Sequence, residues 1–321
     1  NFGHESTGSH RVGASIAFDG DKFSLLGLKS EGSVYFRMAL RWATGIDGLK
    51  WGANFSKLNY EVTQHLETAI YQSGDAAKKG VDLIYQLVNE PGHISNLGLH
   101  RVSKTINSIG LDLTNSSSMN SHVSTLEWRG VFREMMPGGA VFSYGTAYSR
   151  GDVDTSGSST MGGLTVPEGS FAKLRFDGTL LQPLGGLGSV FGRLSIQTSD
   201  KNLDPSERFY LGGPTGVRAY GVGEGIGSKG GLMSLEFRQR LAAGTTLSEF
   251  YDWGGVRQVD GANPKTVLKG YGLSLSQDMG GGTTLKGTWA RSSGQPDPAL
   301  PQNNNDQYDR NRFWLSMESR F

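Results

Sequence analysis

Residues 207–225 read ERFYLGGPTGVRAYGVGEG, and the segments 230–241 and 245–255 that follow read GGLMSLEFRQRL and TTLSEFYDWGG. The glycine-rich stretch of the first segment carries a single arginine, Arg218. The two later segments alternate apolar and polar residues as strands do, and the second contains an acid, Asp252. Because glycine lets a backbone pass close to its neighbours, glycines around one cation are suited to a plug inside a hollow structure.

The composition allows a membrane protein but predicts no membrane-spanning helix. Hydrophobic residues make up 36% of the 321 residues, mean hydropathy is −0.36, and no apolar run reaches the roughly 18 residues that a spanning helix needs. The strands of a membrane barrel alternate apolar and polar side chains, so low hydropathy is compatible with one. A net charge of +1 gives no electrostatic basis for nucleic-acid binding, and the absence of cysteine excludes disulfides and thiolate metal sites.

Short period-two segments between turn signals predict a chain built from β-strands. The turn signals include Asp19-Gly20, Pro91-Gly92 and Gly280-Gly281-Gly282. No long helical period stands out, although residues 62–77 fit no type clearly. We predict sixteen strands, at 8–18, 21–30, 33–43, 48–60, 78–88, 94–106, 120–133, 139–150, 168–181, 187–199, 206–213, 229–241, 245–257, 266–278, 282–293 and 311–321.

The two faces of these strands differ in chemistry. In residues 312–321 one face carries phenylalanine, leucine and methionine and the other carries arginine, glutamate and tryptophan, and residues 232–241 divide similarly. A soluble sandwich alternates in the same way, but rows of charges of both signs suit a water-filled lumen and favour apolar side chains that face lipid. Aromatic residues near strand ends, as in an interfacial girdle, are Trp42, Trp51, Tyr251, Trp253, Phe313 and Phe321.

The predicted fold is all-β, a 16-stranded antiparallel transmembrane β-barrel that occupies residues 1–321 as one domain. The count places the loop 214–228 between strands eleven and twelve, and we expect its glycines and lone arginine to fold inward as a plug. Closure of the sheet satisfies every backbone donor, as lipid requires. This count places 61–77 and 151–167 on the periplasmic side, where turns are usually short, so either the count slips or these turns are long.

The chain resembles the two-partner secretion transporters (the TpsB family), which share a superfamily of outer-membrane barrels with the Bam insertase. The resemblance covers most of the chain and is strongest in 209–220. The residues that carry it are Thr7-Gly8, Arg11-Val12-Gly13, Ser170–Leu184, Phe209–Tyr220, Glu236-Phe237-Arg238, Phe250–Gly254 and the final Phe321.

The resemblance implies a set of functional residues at the tip of the inward loop. The tip motif corresponds to Val217, Arg218, Ala219 and Tyr220, and the family's acid on the thirteenth strand corresponds to Asp252. Ala219 stands where glycine is commonest in the family. The resemblance and the strand pattern also assign Glu236 and Arg238 to a lumenal row and Phe321 to the terminal barrel signal.

The resemblance further implies a pore in the bacterial outer membrane. Such a pore exports a large unfolded exoprotein (a TpsA-like adhesin or haemolysin) from the periplasm to the cell surface without nucleotide or cofactor. Its partners would be that exoprotein, outer-membrane lipid and the barrel-assembly machinery, with no nucleic acid. The cargo would pair its main chain with an exposed strand edge. The family's periplasmic POTRA domains have no counterpart here and are expected upstream of Asn1.

Several other interpretations start from the same residues. A Bam-like insertase shares the loop motif, and a passive porin shares the barrel. The glycines of 221–227 superficially resemble a phosphate loop, but a strand rather than a helix follows them. Glu236, Arg238 and Asp252 resemble a catalytic cluster without a serine–histidine partner. The six histidines lack metal-ligand spacing, so we expect no metal and no enzymatic activity.

Overall fold

A computed structural model describes residues 12–18, 22–61, 71–110, 116–134, 137–157, 160–161, 164–165, 167–260, 265–293 and 310–319. The strands are β1 Val12–Phe18, β2 Phe23–Lys29, β3 Ser33–Ala43, β4 Leu49–Glu61, β5 Tyr71–Glu90, β6 His93–Gly110, β7 Ser116–Arg133, β8 Val141–Gly157, β9 Thr160–Met161, β10 Leu164–Thr165, β11 Gly169–Pro183, β12 Ser189–Ser199, β13 Phe209–Tyr210, β14 Ile226–Gly227, β15 Lys229–Ala242, β16 Thr245–Arg257, β17 Thr266–Gly280, β18 Thr283–Ser292 and β19 Asn311–Ser319. One short 3₁₀ turn spans Gly185–Leu187. None of the described residues forms a helix long and apolar enough to cross a membrane.

One large antiparallel sheet holds most of these strands. It contains fifteen strands within the described residues, in the order β1 to β8, then β11, β12 and β15 to β19. Each strand pairs with the next one along the chain, so the sheet is a continuous meander. The predicted all-β class and antiparallel arrangement are confirmed.

The predicted strand at 206–213 is wrong. Only Phe209–Tyr210 is extended there, and it pairs with Ile226–Gly227 in a separate two-stranded sheet. The segment alternates like a strand, but the glycines that follow allow the chain to turn back and pair within its own loop. The inward loop therefore lies between the tenth and eleventh strands of the described sheet rather than between the eleventh and twelfth, and Asp252 lies on the twelfth rather than the thirteenth.

Removing that strand from the count also changes which connections lie at which end of the sheet. In a meander, connections alternate between the two ends of the sheet, so β4 and β8 both finish at the end that carries the inward loop 200–228. The placement of 61–77 and 151–167 at the opposite end was therefore an error of the count. We call the end with the inward loop the loop end and the other, where 91–92, 243–244 and 281–282 lie, the turn end.

The apolar face of the sheet points outward. One row of paired positions crosses five strands, and its residues are between 45% and 57% exposed: Leu83 45%, Leu99 57%, Leu126 46%, Tyr148 49% and Leu174 45%. The opposite face carries buried serines and charges, among them Asp252 at 0%. A contiguous exposed apolar surface of this size requires an apolar solvent, and a lipid-facing barrel wall meets that requirement.

Candidate functional site

The loop 200–228 folds back against the inward face of the sheet. Its two arms form a hairpin, in which the Leu211 N–H donates to the Gly225 carbonyl at 2.9 Å and the Gly213 N–H donates to the Tyr220 carbonyl at 3.0 Å. Leu211 and Val217 are fully buried against the wall. Folding inward buries these apolar side chains, and the glycines allow the close approach that the hairpin needs.

The guanidinium of Arg218 is held by two strands of the wall. It donates to both carboxylate oxygens of Asp252, from Nε to Oδ2 at 2.8 Å and from Nη2 to Oδ1 at 2.7 Å. The Arg218 backbone N–H donates to Oδ2 at 3.0 Å. The same side chain donates from Nη1 to Glu236 Oε1 at 2.7 Å. This bidentate, charge-assisted geometry is the strong form of the arginine–carboxylate interaction.

Water is largely excluded from this cluster. The side chains of Arg218, Asp252 and Glu236 are 7%, 0% and 9% exposed. The Arg218 guanidinium carbon lies 3.4 Å from the ring centroid of Phe250, which covers its face. Burial by itself would lower the pKa of Arg218, but the hydrogen bonds and charges of Asp252 and Glu236 raise it, so the cation is retained. The pair is therefore a dehydrated one rather than a solvated one in an open lumen.

Ser234 and Arg238 complete the hydrogen bonding of the cluster. Ser234 Oγ donates to Asp252 Oδ1 at 2.7 Å and accepts from Arg218 Nη2 at 2.9 Å. Arg238 donates from Nε to Glu236 Oε2 at 2.8 Å and lies over the ring of Phe191. The predicted row of Glu236 and Arg238 thus faces inward, and Glu236 bridges two arginines. Every carboxylate oxygen of the cluster accepts a hydrogen bond, which is the condition for burying charges without a large penalty.

The last described strand also contacts the loop. Trp314 on β19 donates from Nε1 to the Arg218 carbonyl at 2.7 Å. Arg312, on the same strand, donates to Glu224 Oε1 at 3.0 Å. The tip of the loop is thereby bonded to β15, β16 and β19.

Ala219 packs against a glycine of the wall. A Cβ placed on Gly270 of β17 would lie 2.5 Å from the Ala219 Cβ. Tyr220, the last residue of the tip motif, is 3% exposed within the same apolar cluster. The wall is therefore shaped to receive the tip closely.

The base of the loop has a separate ionic contact on another part of the wall. The Glu207 carboxylate is paired with Lys104 of β6 and Lys173 of β11. Lys104 also donates to Ser206 Oγ at 2.9 Å. Burial would raise the pKa of Glu207, but the two lysines together hold it below its usual value. Because β6 and β19 both bond this loop, the inward face of the sheet must curve around it.

An apolar contact lies beside this base. Leu203 is fully buried among Met119, Val123, Val153 and Phe171, which come from β7, β8 and β11. The loop is thus fixed at its base by one ionic and one apolar contact and at its tip by the Arg218 cluster. We call the Glu207 contact the base anchor and the Arg218 cluster the tip anchor.

Sequence reasoning found one anchor and missed the other. Val217, Arg218, Ala219, Tyr220, Asp252 and Glu236 all lie together at the tip, and Phe321 lies outside the described residues. The base anchor was missed because Lys104 and Lys173 are distant in sequence from Glu207 and have no distinctive context. The only signal available was an acid on a loop with lysines on the polar faces of two strands. Among the described residues no group of histidine, aspartate or glutamate side chains is arranged to hold a metal.

Comparison with known sequences gives a family match over most of the chain. A sequence model of the family described as "haemolysin secretion/activation protein ShlB/FhaC/HecB" matches residues 1–277. The heme/hemopexin transporter protein HuxB of Haemophilus influenzae is 32% identical over 132 residues, which are 39% of this chain and 23% of HuxB.

Solved structures with the same fold include CdiB from Escherichia coli and BamA from Haemophilus ducreyi. CdiB superposes with a TM-score of 0.74 at 18% identity, over 98% of this chain and 60% of CdiB. BamA lacking POTRA domains 1–3 superposes with a TM-score of 0.66 at 13% identity, over 96% of this chain and 67% of that one. The chain thus spans less than two thirds of the length of HuxB and of CdiB.

Proposed function

The chain belongs to the ShlB/FhaC/HecB haemolysin secretion/activation family, whose members are outer-membrane β-barrel transporters, and from that premise we propose that it exports a partner exoprotein. Residues 1–321 would act as the barrel domain, in contact with outer-membrane lipid and inserted by the barrel-assembly machinery. The cargo would be a large secreted protein that crosses in an unfolded state. No nucleotide would be used, and folding outside the cell would make each step hard to reverse.

The observation that carries the proposal is a loop bonded across the inward face of a lipid-facing wall. In this position the loop is a plug, and the tip anchor is the latch that holds it. Arg218 and Asp252 close the latch, Glu236 and Arg238 support it, and Val217, Ala219 and Tyr220 fit the tip to the wall. Export requires the plug to leave or shift, because the hairpin lies in the path of a passing chain.

Deletion of the gene from the bacterium that encodes it tests the export role. We expect one large protein to disappear from the medium or cell surface, and the parent gene to restore it. An unchanged set of secreted proteins would refute export. Depletion of many outer-membrane barrels instead would identify an insertase, and a large, steady conductance with no effect on secretion would identify a passive porin.

Complementation with latch variants tests the role of the site. We expect the deletion strain carrying Arg218→Ala or Asp252→Ala to secrete the partner at a changed rate while the barrel reaches the membrane in normal amounts. If both variants export at the parent rate, the latch role is wrong even though export stands.

A further inference from the structure

Lysine and arginine side chains follow one boundary of the lipid-facing band. Each of the strands β4, β5, β6 and β8 carries an outward-facing apolar residue near the loop end. The next outward-facing residue on the same strand, two positions closer to the loop end, is a lysine or an arginine. The successive pairs are Phe55 and Lys57, Val81 and Lys79, Leu99 and Arg101, and Tyr148 and Arg150. All four cations are exposed.

The strand register places these cations on the outward face. Lys57 is paired with Phe36, which is 42% exposed, and Arg101 is paired with Val81, which is 57% exposed. Paired positions share a face of the sheet, so the cations point toward the surroundings and not into the lumen. They sit where the hydrocarbon band ends.

The same arrangement recurs on the far side of the sheet. Lys269 of β17 is paired with the exposed Trp253, and Arg291 of β18 with the exposed Tyr271. Lys29 of β2 and Arg257 of β16 are also exposed on this face at the loop end. We call the set the cationic collar: Lys29, Lys57, Lys79, Arg101, Arg150, Arg257, Lys269 and Arg291.

The other boundary of the band differs. On the outward face at the turn end, the described strands carry the acid Glu249 and no lysine or arginine. Acids at the loop end stand farther from the apolar band than the cations: Glu61 beyond Lys57, Asp75 beyond Lys79, and Asp152 and Asp154 beyond Arg150. None of the collar cations forms an ion pair with another described residue, so the row nearest the membrane keeps its positive charge available.

We propose that the cationic collar binds the phosphate groups of lipid A, the phosphorylated glycolipid of the outer leaflet. Clusters of basic residues just outside an apolar span recognise anionic headgroups, and guanidinium and ammonium groups are the usual phosphate ligands. Arg101 and Arg150 are two strands apart, about 10 Å, with Ser124 between them, and Arg101 Nη1 donates to Ser124 Oγ at 2.8 Å. A phosphate can sit between two such cations and the hydroxyl.

The asymmetry of the two boundaries favours this ligand over a general anionic lipid. Only one leaflet of the outer membrane is rich in lipid A, and among the strands that the structure describes only one boundary carries such a row of cations. The loop end, which also carries the inward plug, would then face the cell surface. The inference depends on the outer-membrane location and not on export, so loss of lipid binding and loss of secretion are separable results.

Binding to bisphosphorylated lipid A tests the proposal. The purified chain in detergent micelles is titrated with lipid A, and the triple variant Lys79→Gln/Arg101→Gln/Arg150→Gln is compared with it. We expect affinity to fall at least tenfold. The matched control Lys50→Gln/Arg133→Gln/Arg240→Gln removes the same charge from exposed side chains near the turn end and should bind as the parent does.

Two further measurements keep the test decisive. Dephosphorylated lipid A should bind the parent and the collar variant with the same low affinity. Raising the salt concentration should lower the affinity of the parent for phosphorylated lipid A only. The salt comparison needs no variant, so it holds if the triple variant fails to fold. Equal affinity of the parent and the collar variant for lipid A would overturn the assignment. So would an equally large loss of affinity for phosphatidylglycerol in micelles when the collar residues are replaced.

Discussion

The tip and the base of the inward loop are anchored by opposite chemistry. At the tip the loop supplies a cation, Arg218, and the wall supplies the acids Asp252 and Glu236 from neighbouring strands. At the base the loop supplies an acid, Glu207, and the wall supplies lysines from β6 and β11, which are not neighbours. The ion pairs of the tip anchor thus use two adjacent strands, whereas those of the base anchor join strands that are not adjacent.

This difference determines which of the loop's own groups can respond to pH. Arginine keeps its charge at any physiological pH, so the group that the loop supplies at the tip does not titrate. The group that the loop supplies at the base is the Glu207 carboxylate, which titrates in acid. Variants of Arg218 and Glu207 therefore test the two anchors separately.

The largest effect is expected at the tip, from Arg218→Ala. Removing one partner of a buried ion pair costs about 3–5 kcal/mol, since Asp252 is left buried without a counter-charge. The chain has no cysteine, so Val217→Cys can report on the tip through thiol labelling. In that background we expect Arg218→Ala to raise the labelling rate by at least about a hundredfold, because each 1.4 kcal/mol is a factor of about ten.

Arg218→Lys provides the control for charge. It keeps the cation but loses the planar fork that reaches Asp252 and Glu236 together, so labelling should be intermediate. Labelling of Arg218→Ala at the parent rate would mean that the tip is held by its apolar contacts alone.

A slightly smaller effect is expected at the base, from Glu207→Gln. The substitution leaves Lys104 and Lys173 as buried like charges, which should cost about 3 kcal/mol. Because the two anchors use different strands, we expect the effects of Glu207→Gln and Arg218→Ala on labelling to be additive within about 0.5 kcal/mol. Additive effects require that both anchors break before the tip is labelled, so an unchanged labelling rate in Glu207→Gln alone would show that the tip opens while the base stays bound.

A steric change at Gly270 should have a moderate effect. Gly270→Ala places a methyl group against Ala219, and such overpacking costs about 1–3 kcal/mol. Gly287→Ala on the adjacent strand is the matched control, because a Cβ there has no atom within 4 Å. Ala219→Gly should restore normal labelling to Gly270→Ala; a failure of that rescue would assign the effect to the wall and not to the tip.

The smallest effect is a pH dependence of the base anchor. In the folded loop Lys104 and Lys173 lower the pKa of the Glu207 carboxyl, and Lys78 is also nearby. The stabilisation is therefore complete above the unfolded pKa of about 4.3 and is lost as the pH falls through the lower folded value, by at most about 1.4 kcal/mol per pH unit. Because any cysteine reacts through its thiolate and therefore more slowly in acid, the labelling rate of Val217→Cys is divided by that of an exposed reference cysteine, Lys50→Cys. This ratio should rise below about pH 4, and Glu207→Gln should abolish the rise; an identical acid response of the ratio in both would exclude Glu207 as its source.

The same contrast explains how far the sequence alone could lead. Period-two alternation predicted the strands and their outward apolar face because burial in lipid acts on each strand separately. The tip residues were predictable because they form a contiguous motif and their acid partner lies on a nearby strand. Sequence distance does not separate the two anchors, because Arg218 and Asp252 are 34 residues apart, as are Lys173 and Glu207. The base anchor has no contiguous motif, and its two lysines lie on strands that are not neighbours.

The strand at 206–213 shows the limit of alternation as a signal. Phe209 and Leu211 alternate with polar or exposed neighbours as in a wall strand, but they are buried at 3% and 0% against the inward face of the sheet. Local periodicity records which side chains avoid water and cannot record what covers them. That single misassignment moved every earlier connection to the wrong end of the sheet.

The bonds from Trp314 and Arg312 to the loop have a mechanical consequence. Within the described residues β19 has one sheet neighbour, β18, and these two side chains also bond it to the loop. Withdrawal of the hairpin removes both bonds at the moment that it clears the bore. Opening of the pore and loosening of β19 are therefore one event. An exported chain would pass a wall whose last described strand has just lost its hydrogen bonds to the loop.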